Sequence, residues 1–278
     1  LLRNNVKSQR RPKAAQATKG FPGFTLMSND ARAGKPDQLR RIPGGIARES
    51  YFPTHIYFGD LEDTDTLNAD VEESIRRLKA ETPAGIQRSN VSATGAWHSG
   101  TDLHRRSEFC DLVEQFFSAA EVVFEDEGYD PDYEPAIDLM WANISPRYAF
   151  NRHHSHPGVL WSAAYYVKTP PKCGRIFFSD PRLQAHVIEP HYPEGEERGK
   201  DAWSEVYYEA LEGRILIFPA WLCHEVEPNL AKGEGPECER ISISFNVFQR
   251  EKDRPTALDQ GPIVRSDLAR LRHAGRER

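Results

Sequence analysis

The sequence predicts a mainly β domain with flanking helices, arranged as a helix-backed jelly roll. Three observations carry this. From Ala136 onward the chain breaks into seven or eight short β-rich runs separated by turns that contain Pro or Gly. No helical period falls between those runs, which disfavours a parallel α/β sheet. Two amphipathic helical stretches precede them.

Taken in order, the first segment is basic. Residues 1–45 hold Arg3, Lys7, Arg10, Arg11, Lys13, Lys19, Arg32, Lys35, Arg40 and Arg41 against Asp30 and Asp37, a net of +8 in a chain whose total is -6. They show no sustained apolar period, so residues 1–45 are expected to form a flexible N-terminal arm: a solvated extension, a targeting peptide or an arm that touches a partner. The acidic remainder excludes a whole-chain polyanion binder, and no nucleic acid is expected at the core. The longest apolar run, Ile215–Cys223, is broken by Pro219 and falls far short of the roughly 18 residues that span a bilayer. Cys110, Cys173, Cys223 and Cys238 include no Cys-x-x-Cys pair and read as free thiols of a cytoplasmic protein.

In the first helical stretch Asn68 can cap a first turn containing Asp70 and Glu72, Leu67, Val71, Ile75 and Leu78 recur at helical spacing, and Thr82-Pro83 stops the run. From Ser107 a second stripe runs through Phe109, Leu112, Val113, Phe116, Phe117, Ala120 and Val123 toward Gly128. Its exposed face is the place to look for a homodimer. Between the helices, Trp97-His98-Ser99 reads as a surface loop, with a substrate-side lid as the alternative. Strands are expected at Ile137–Ile144, Leu160–Val167, Arg175–Phe178, His186–Ile188, Glu205–Glu209, Arg214–Phe218 and Arg240–Phe248. Residues 46–250 would then be one domain, and 251–278 a charged C-terminal tail.

The chemistry concentrates in three places. In Asn151-Arg-His-His-Ser-His-Pro-Gly158, extended backbone puts His154 and His156 on one face and His153 on the other, a two-ligand half-site for Fe, Zn, Cu or Ni; a His-rich solvated loop is the competing reading. His224 follows a buried strand and the turn at Pro219, 70 residues beyond His154, and could supply a third ligand from an opposite strand. In Glu239-Arg-Ile-Ser-Ile-Ser-Phe-Asn246, Arg240, Ser242, Ser244 and Asn246 share one face. A guanidinium fork with a hydroxyl two residues on suits a carboxylate.

These segments, with Trp161-Ser-Ala-Ala-Tyr-Tyr-Val167, Gly174-Arg-Ile-Phe-Phe-Ser-Asp-Pro-Arg182, Trp141-Ala-Asn-Ile-Ser145 and Trp97-His-Ser99, resemble the Fe(II)/2-oxoglutarate-dependent oxygenase superfamily, and within it a branch of 2-oxoglutarate-Fe(II) oxygenases of bacteria and phages, over roughly residues 60–250. The resemblance implies a double-stranded β-helix, cupin-like in shape, with Fe(II) at its open end and 2-oxoglutarate and O2 as co-substrates. It implies His154 and His224 as metal ligands and Arg240 with Ser242 at the C5 carboxylate of 2-oxoglutarate. Asn143 and Trp141, on one face of their strand, could touch co-substrate or substrate, and Trp141 suits core packing equally well. One of Tyr165 and Tyr166 should face the barrel interior. The implied reaction is hydroxylation of an unactivated C–H of a small molecule or natural-product intermediate, coupled to decarboxylation of 2-oxoglutarate to succinate and CO2.

The chain departs from the pattern in one position. Where the superfamily usually has a carboxylate, two residues after the first His, stands His156. The leading reading is a three-histidine centre of His154, His156 and His224. The others are a His156-Pro-Gly158 motif in which Gly158 opens a halide position, a carboxylate from elsewhere such as Asp180, or a vestigial site. Accordingly a halogenase, a co-substrate-free three-histidine dioxygenase and a non-catalytic metal-binding β-barrel stay open beside the hydroxylase.

Overall fold

A computed structural model of the chain describes residues 40–41, 47–48, 50–61, 64–91, 95–188, 190–193, 199–252, 254 and 261–276. The chain forms two units, Leu1–Pro53 and Thr54–Arg278. In the first, β1 (Arg40–Arg41) and β2 (Ala47–Arg48) pair as an antiparallel ribbon. Regular structure thus begins inside the segment expected to be a flexible arm. The rest of that arm, residues 1–39 and 42–45, lies outside the described residues.

The second unit holds two antiparallel sheets in a jelly-roll arrangement. The larger runs β3 (Tyr57–Asp60), β10 (Arg214–Pro219), β7 (Trp161–Lys168), β12 (Arg240–Glu251), β5 (Tyr133–Ser145) and β4 (Trp97–His98). The smaller runs β6 (Asn151–His154), β11 (His224–Val226), β8 (Ile176–Ser179) and β9 (Glu205–Tyr208). Three helices, α1 (Thr64–Glu81), α2 (Cys110–Asp126) and α3 (Leu268–Arg276), contribute to one apolar cluster with the larger sheet. That cluster includes Val71, Ile75, Phe116, Leu268, Tyr165, Ile241, Ile243 and Phe245. A second cluster of Tyr166, Cys173, Ile176, Phe178, Leu216 and Phe218 fills the space between the sheets.

The two clusters explain the sequence texture. Strand β7 is covered on both faces, by helices and by the other sheet, so its buried run shows no apolar/polar alternation. Strand β12 alternates instead: Ile241, Ile243 and Phe245 face the helices, while Arg240, Ser242 and Ser244 line a cleft on the other side. Phe116 of α2 stacks on Phe245 at 4.3 Å and meets Tyr165 edge-on at 5.4 Å, which seats the helix on the sheet.

Four expectations are corrected. Helix α1 starts at Thr64, so Asn68 is an interior residue; its buried Oδ1 accepts the Tyr165 hydroxyl at 2.7 Å rather than capping a turn. The run His186–Ile188 is not a strand, and a 3-10 turn, Leu183–His186, begins it; three residues offer too little alternation to specify pairing. Trp97, His98 and Ser99 are buried, not a surface loop, with β4 paired to β5 and the Trp97 indole N–H donating to the Thr82 carbonyl at 2.8 Å. Beyond residue 250, Ile263, Val264, Leu268 and Leu271 join the core, so this segment is no charged tail. Among the described residues no helix is long and apolar enough to cross a membrane, and all four cysteines are free.

Candidate active site

The cleft lies between the two sheets, with a volume of about 520 Å³ that includes its open mouth. One end is built around three imidazoles. Pairing of β6 with β11 sets His154 directly opposite His224, and the His156 N–H donates to the Ala220 carbonyl at 2.8 Å, which brings the chain just past β6 back against the turn before His224. One ligand atom from each of His154, His156 and His224 lies within 4.8 Å of the other two. His153 is not in the group; its Nε2 lies 3.5 Å from the Ser179 hydroxyl.

The tautomers of two rings follow from their partners. His154 Nδ1 lies 2.6 Å from the Arg152 carbonyl and His224 Nδ1 lies 2.9 Å from the Leu222 carbonyl. A carbonyl only accepts, so each Nδ1 carries the proton and each Nε2 keeps its lone pair. Burial, with the neighbouring imidazoles, lowers all three pKa values, His156 to about 4 and His224 to about 3. The rings are therefore neutral at pH 7, as metal donation requires.

The other end is built around Arg240. Its side chain is 2% exposed, its guanidinium donates to the carbonyls of Cys173 and Glu227, and burial lowers its pKa. Among the described residues no carboxylate lies within ion-pair distance of it. Gly174 makes room for it: at φ +92°, an added Cβ would sit 2.6 Å from the Glu227 carbonyl oxygen and 3.0 Å from Arg240 Nη1. Between the two ends lie Asn143, Ser242, Ser244 and Tyr166. Asn143 Oδ1 is buried without a hydrogen-bond partner, and burial pushes the Tyr166 phenol up to about 12.

This set fits a divalent cation with a carboxylate ligand. Three neutral imidazoles at one mouth suit Fe, Zn, Cu or Ni, although facial ligands at about 2.1 Å would be only about 3 Å apart, so the rings must draw in. An unpaired buried guanidinium and an unsatisfied amide oxygen are what a bound polar ligand would relieve. Asp180 does not take part: it accepts from the Arg182 backbone N–H at 2.9 Å and from its guanidinium, and it does not line the cleft. Gly158, φ +90° with nothing near its Cβ position, is where the chain turns away.

Residues 139–246, which include every described residue lining the cleft except Ser89, match the family model described as "Putative 2OG-Fe(II) oxygenase". These residues carry the likeness to the 2OG-Fe(II) oxygenases. The likeness indicates an oxidoreductase of the Fe(II)- and 2-oxoglutarate-dependent class, for which O2 is the usual oxidant. Among solved structures, the chain is similar to the α-ketoglutarate-dependent epimerase SnoN from nogalamycin biosynthesis, at 13% identity over 70% of this chain and 76% of that one, TM-score 0.50. SnoN with Fe3+, α-ketoglutarate and nogalamycin RO matches at 14% identity over 70% and 79%, TM-score 0.50. A prolyl-4-hydroxylase of Pseudomonas putida matches at 16% identity over 71% and 94%, TM-score 0.47. At such identities the likeness is one of fold. A comparison with curated proteins finds no match.

The cleft also contains residues that sequence reading passed over. Ser89 and Asn151 line its side, joined by a 3.0 Å hydrogen bond from Asn151 Nδ2 to the Ser89 hydroxyl. Asn151 stood within the His-rich segment and could have been found by alternation; Ser89 belongs to a stretch without periodicity. Of the two tyrosines on β7, it is Tyr166 that lines the cleft.

Proposed function

We propose that His154, His156 and His224 hold Fe(II), that Arg240, Ser242 and Asn143 bind 2-oxoglutarate, and that the domain hydroxylates an unactivated C–H of a small molecule. The observation that carries this is the pairing, in one cleft, of three converging neutral imidazoles with a buried guanidinium that has no carboxylate partner among the described residues. Fe(II), when bound, supplies O2 activation coupled to decarboxylation of 2-oxoglutarate to succinate and CO2.

The residues divide the work. Arg240 receives the distal carboxylate of 2-oxoglutarate in a planar, charge-assisted contact, and the Ser242 hydroxyl lies on the same strand face to add a hydrogen bond. Tyr166 and Asn143 flank the ligand between the two ends. The apolar wall of Ala163, Ala164, Ile176, Phe218 and Val226 keeps water from the co-substrate. The carbonyls of Arg152 and Leu222 fix His154 and His224 so that only Nε2 can bind the metal. His156 occupies the place where the superfamily pattern has a carboxylate, and all three donors are then neutral. On this reading the oxygenase unit starts at Thr54 rather than at residue 46 and continues past residue 250 through the packed segment after residue 261.

An anaerobic titration with Fe(II) and 2-oxoglutarate tests it. A metal-to-ligand charge-transfer band is expected in the parent protein and absent in His224→Ala and Arg240→Ala. No band in the parent sinks the co-substrate assignment; a band that survives His156→Ala unchanged removes His156 from the ligand set.

A further inference from the structure

His154 and His224 are each fixed by an Nδ1–H bond to a carbonyl, but among the described residues none hydrogen-bonds the ring of His156. Planar contacts constrain it instead. It lies between His224, 5.2 Å away with 5° between planes, and Trp141, 5.6 Å away with 25° between planes. The stack continues: the other neighbour of Trp141 is His98, at 5.6 Å and 7°. His98 is itself buried and its Nδ1–H donates to the Ser99 carbonyl at 2.6 Å. Its strand pairs with β5 at Asn143, two residues from Trp141. The order His98, Trp141, His156, His224 is thus a column of four rings that begins on a buried edge strand and ends at the three-histidine group.

We propose that Trp141, backed by His98, is a positioning residue for His156. The proposal rests on His156 being the third metal ligand. A ring without a hydrogen-bonded partner is free to swing about its side-chain torsions, and each wrong orientation costs metal affinity. Outer partners that orient metal-binding histidines contribute roughly ten- to a hundred-fold to that affinity. Here the flat indole face, 5.6 Å from the imidazole, performs that task by limiting the tilt of the ring, and His98 backs the indole from the other side.

The test uses Co(II) alone, titrated anaerobically into the metal-free full chain, with the visible ligand-field bands reporting both affinity and geometry. Trp141→Leu should weaken Co(II) binding about ten-fold and alter the band pattern, while Trp141→Phe, which keeps a flat face, should stay within about three-fold of the parent. In a His156→Ala background Trp141→Leu should change nothing further, because the ring it orients is gone. His98→Leu, which keeps the indole but removes its backing, runs the same cycle if Trp141→Leu does not fold. An equal loss in both backgrounds, or no loss in the parent, overturns the proposal while leaving the ligand reading intact. Unchanged Co(II) affinity in His156→Ala alone overturns the ligand reading and the positioning role with it.

Discussion

Arg240→Met separates a ligand-binding arginine from a structural one. In the folded chain the guanidinium is 2% exposed and bonded to two carbonyls, with its charge unmatched by any described carboxylate. Removing a buried, uncompensated charge and replacing it with an apolar chain of similar length should leave ligand-free stability unchanged or raise it, by up to about 4 kcal/mol where buried ion groups have been exchanged for apolar ones. The cost should appear in binding: losing one partner of a buried charge pair is worth about 2–5 kcal/mol, or roughly thirty- to several-thousand-fold in affinity. A ligand at a hundred times its Kd stabilises the fold by about 2.7 kcal/mol. For a domain of this size that is a Tm rise of about 5–10 °C. Thermal unfolding with Co(II), with and without 2-oxoglutarate, should therefore show the rise in the parent and none in Arg240→Met. A variant that keeps the rise, or that loses several kcal/mol without ligand, refutes the reasoning.

Other outcomes follow from packing and titration. His104 is fully buried and desolvation lowers its pKa to about 3, so the unfolded chain, near 6.5, takes up the proton first as pH falls. Stability from this group is complete above pH 6.5 and is lost toward pH 3, at up to about 1.4 kcal/mol per pH unit; the three cleft histidines of the metal-free protein act in the same direction. In His104→Leu the urea midpoint should fall less steeply between pH 6 and pH 4, and an unchanged slope would exclude His104 as a contributor. Phe116→Ala empties the contact between α2 and the sheet and should cost about 3–5 kcal/mol in urea unfolding; a loss below about 1.5 kcal/mol would mean the helix is seated by other residues. Gly174→Ala imposes positive φ on an L-residue, about 1–3 kcal/mol, and pushes a methyl toward Arg240 Nη1. Its 2-oxoglutarate affinity should drop together with its stability, and undiminished affinity would show that Arg240 tolerates the displacement.

The site was legible where one strand carries two of its members or a strand pairing is simple. Period-2 alternation alone puts Arg240 and Ser242 on one side and Ile241 and Ile243 on the other, and this is the division between cleft and core. His154 and His224 meet because β6 and β11 pair. His98 was not legible. It lies 43 residues before Trp141, on a two-residue strand too short to show a period, and only the pairing of β4 with β5 brings it beneath the indole. Asn68 misled because a short polar side chain before an apolar stripe is a good cap, and nothing local announces the Tyr165 hydroxyl that buries it. In the last segment Val264, Leu268 and Leu271 do recur at helical spacing, but the surrounding arginines hid an apolar face that docks on α2.

The electrostatics of the cleft turn on which acids the fold keeps away from Arg240. Glu239 precedes it in sequence, yet its carboxylate pairs with Arg76 at 2.6 Å and Lys79 at 3.3 Å on α1. Glu227 offers Arg240 only its carbonyl, because its carboxylate is held by Arg175 in a bidentate pair at 2.8 and 2.9 Å, an arrangement that also keeps Glu227 well below the usual carboxylate range. Both neighbouring acids are thus satisfied by other cations, and among the described residues no carboxylate lines the cleft from Arg240 to the imidazoles. At the opposite end the three donors are neutral, so a divalent ion there keeps its full charge. With Arg240 the total is +3, and 2-oxoglutarate cancels two of it. A carboxylate in the place of His156 would cancel the third. On the proposed reading this chain leaves that unit of positive charge in a low-dielectric cleft, where Coulomb terms are large, and an anionic or electron-rich group of the substrate can meet it.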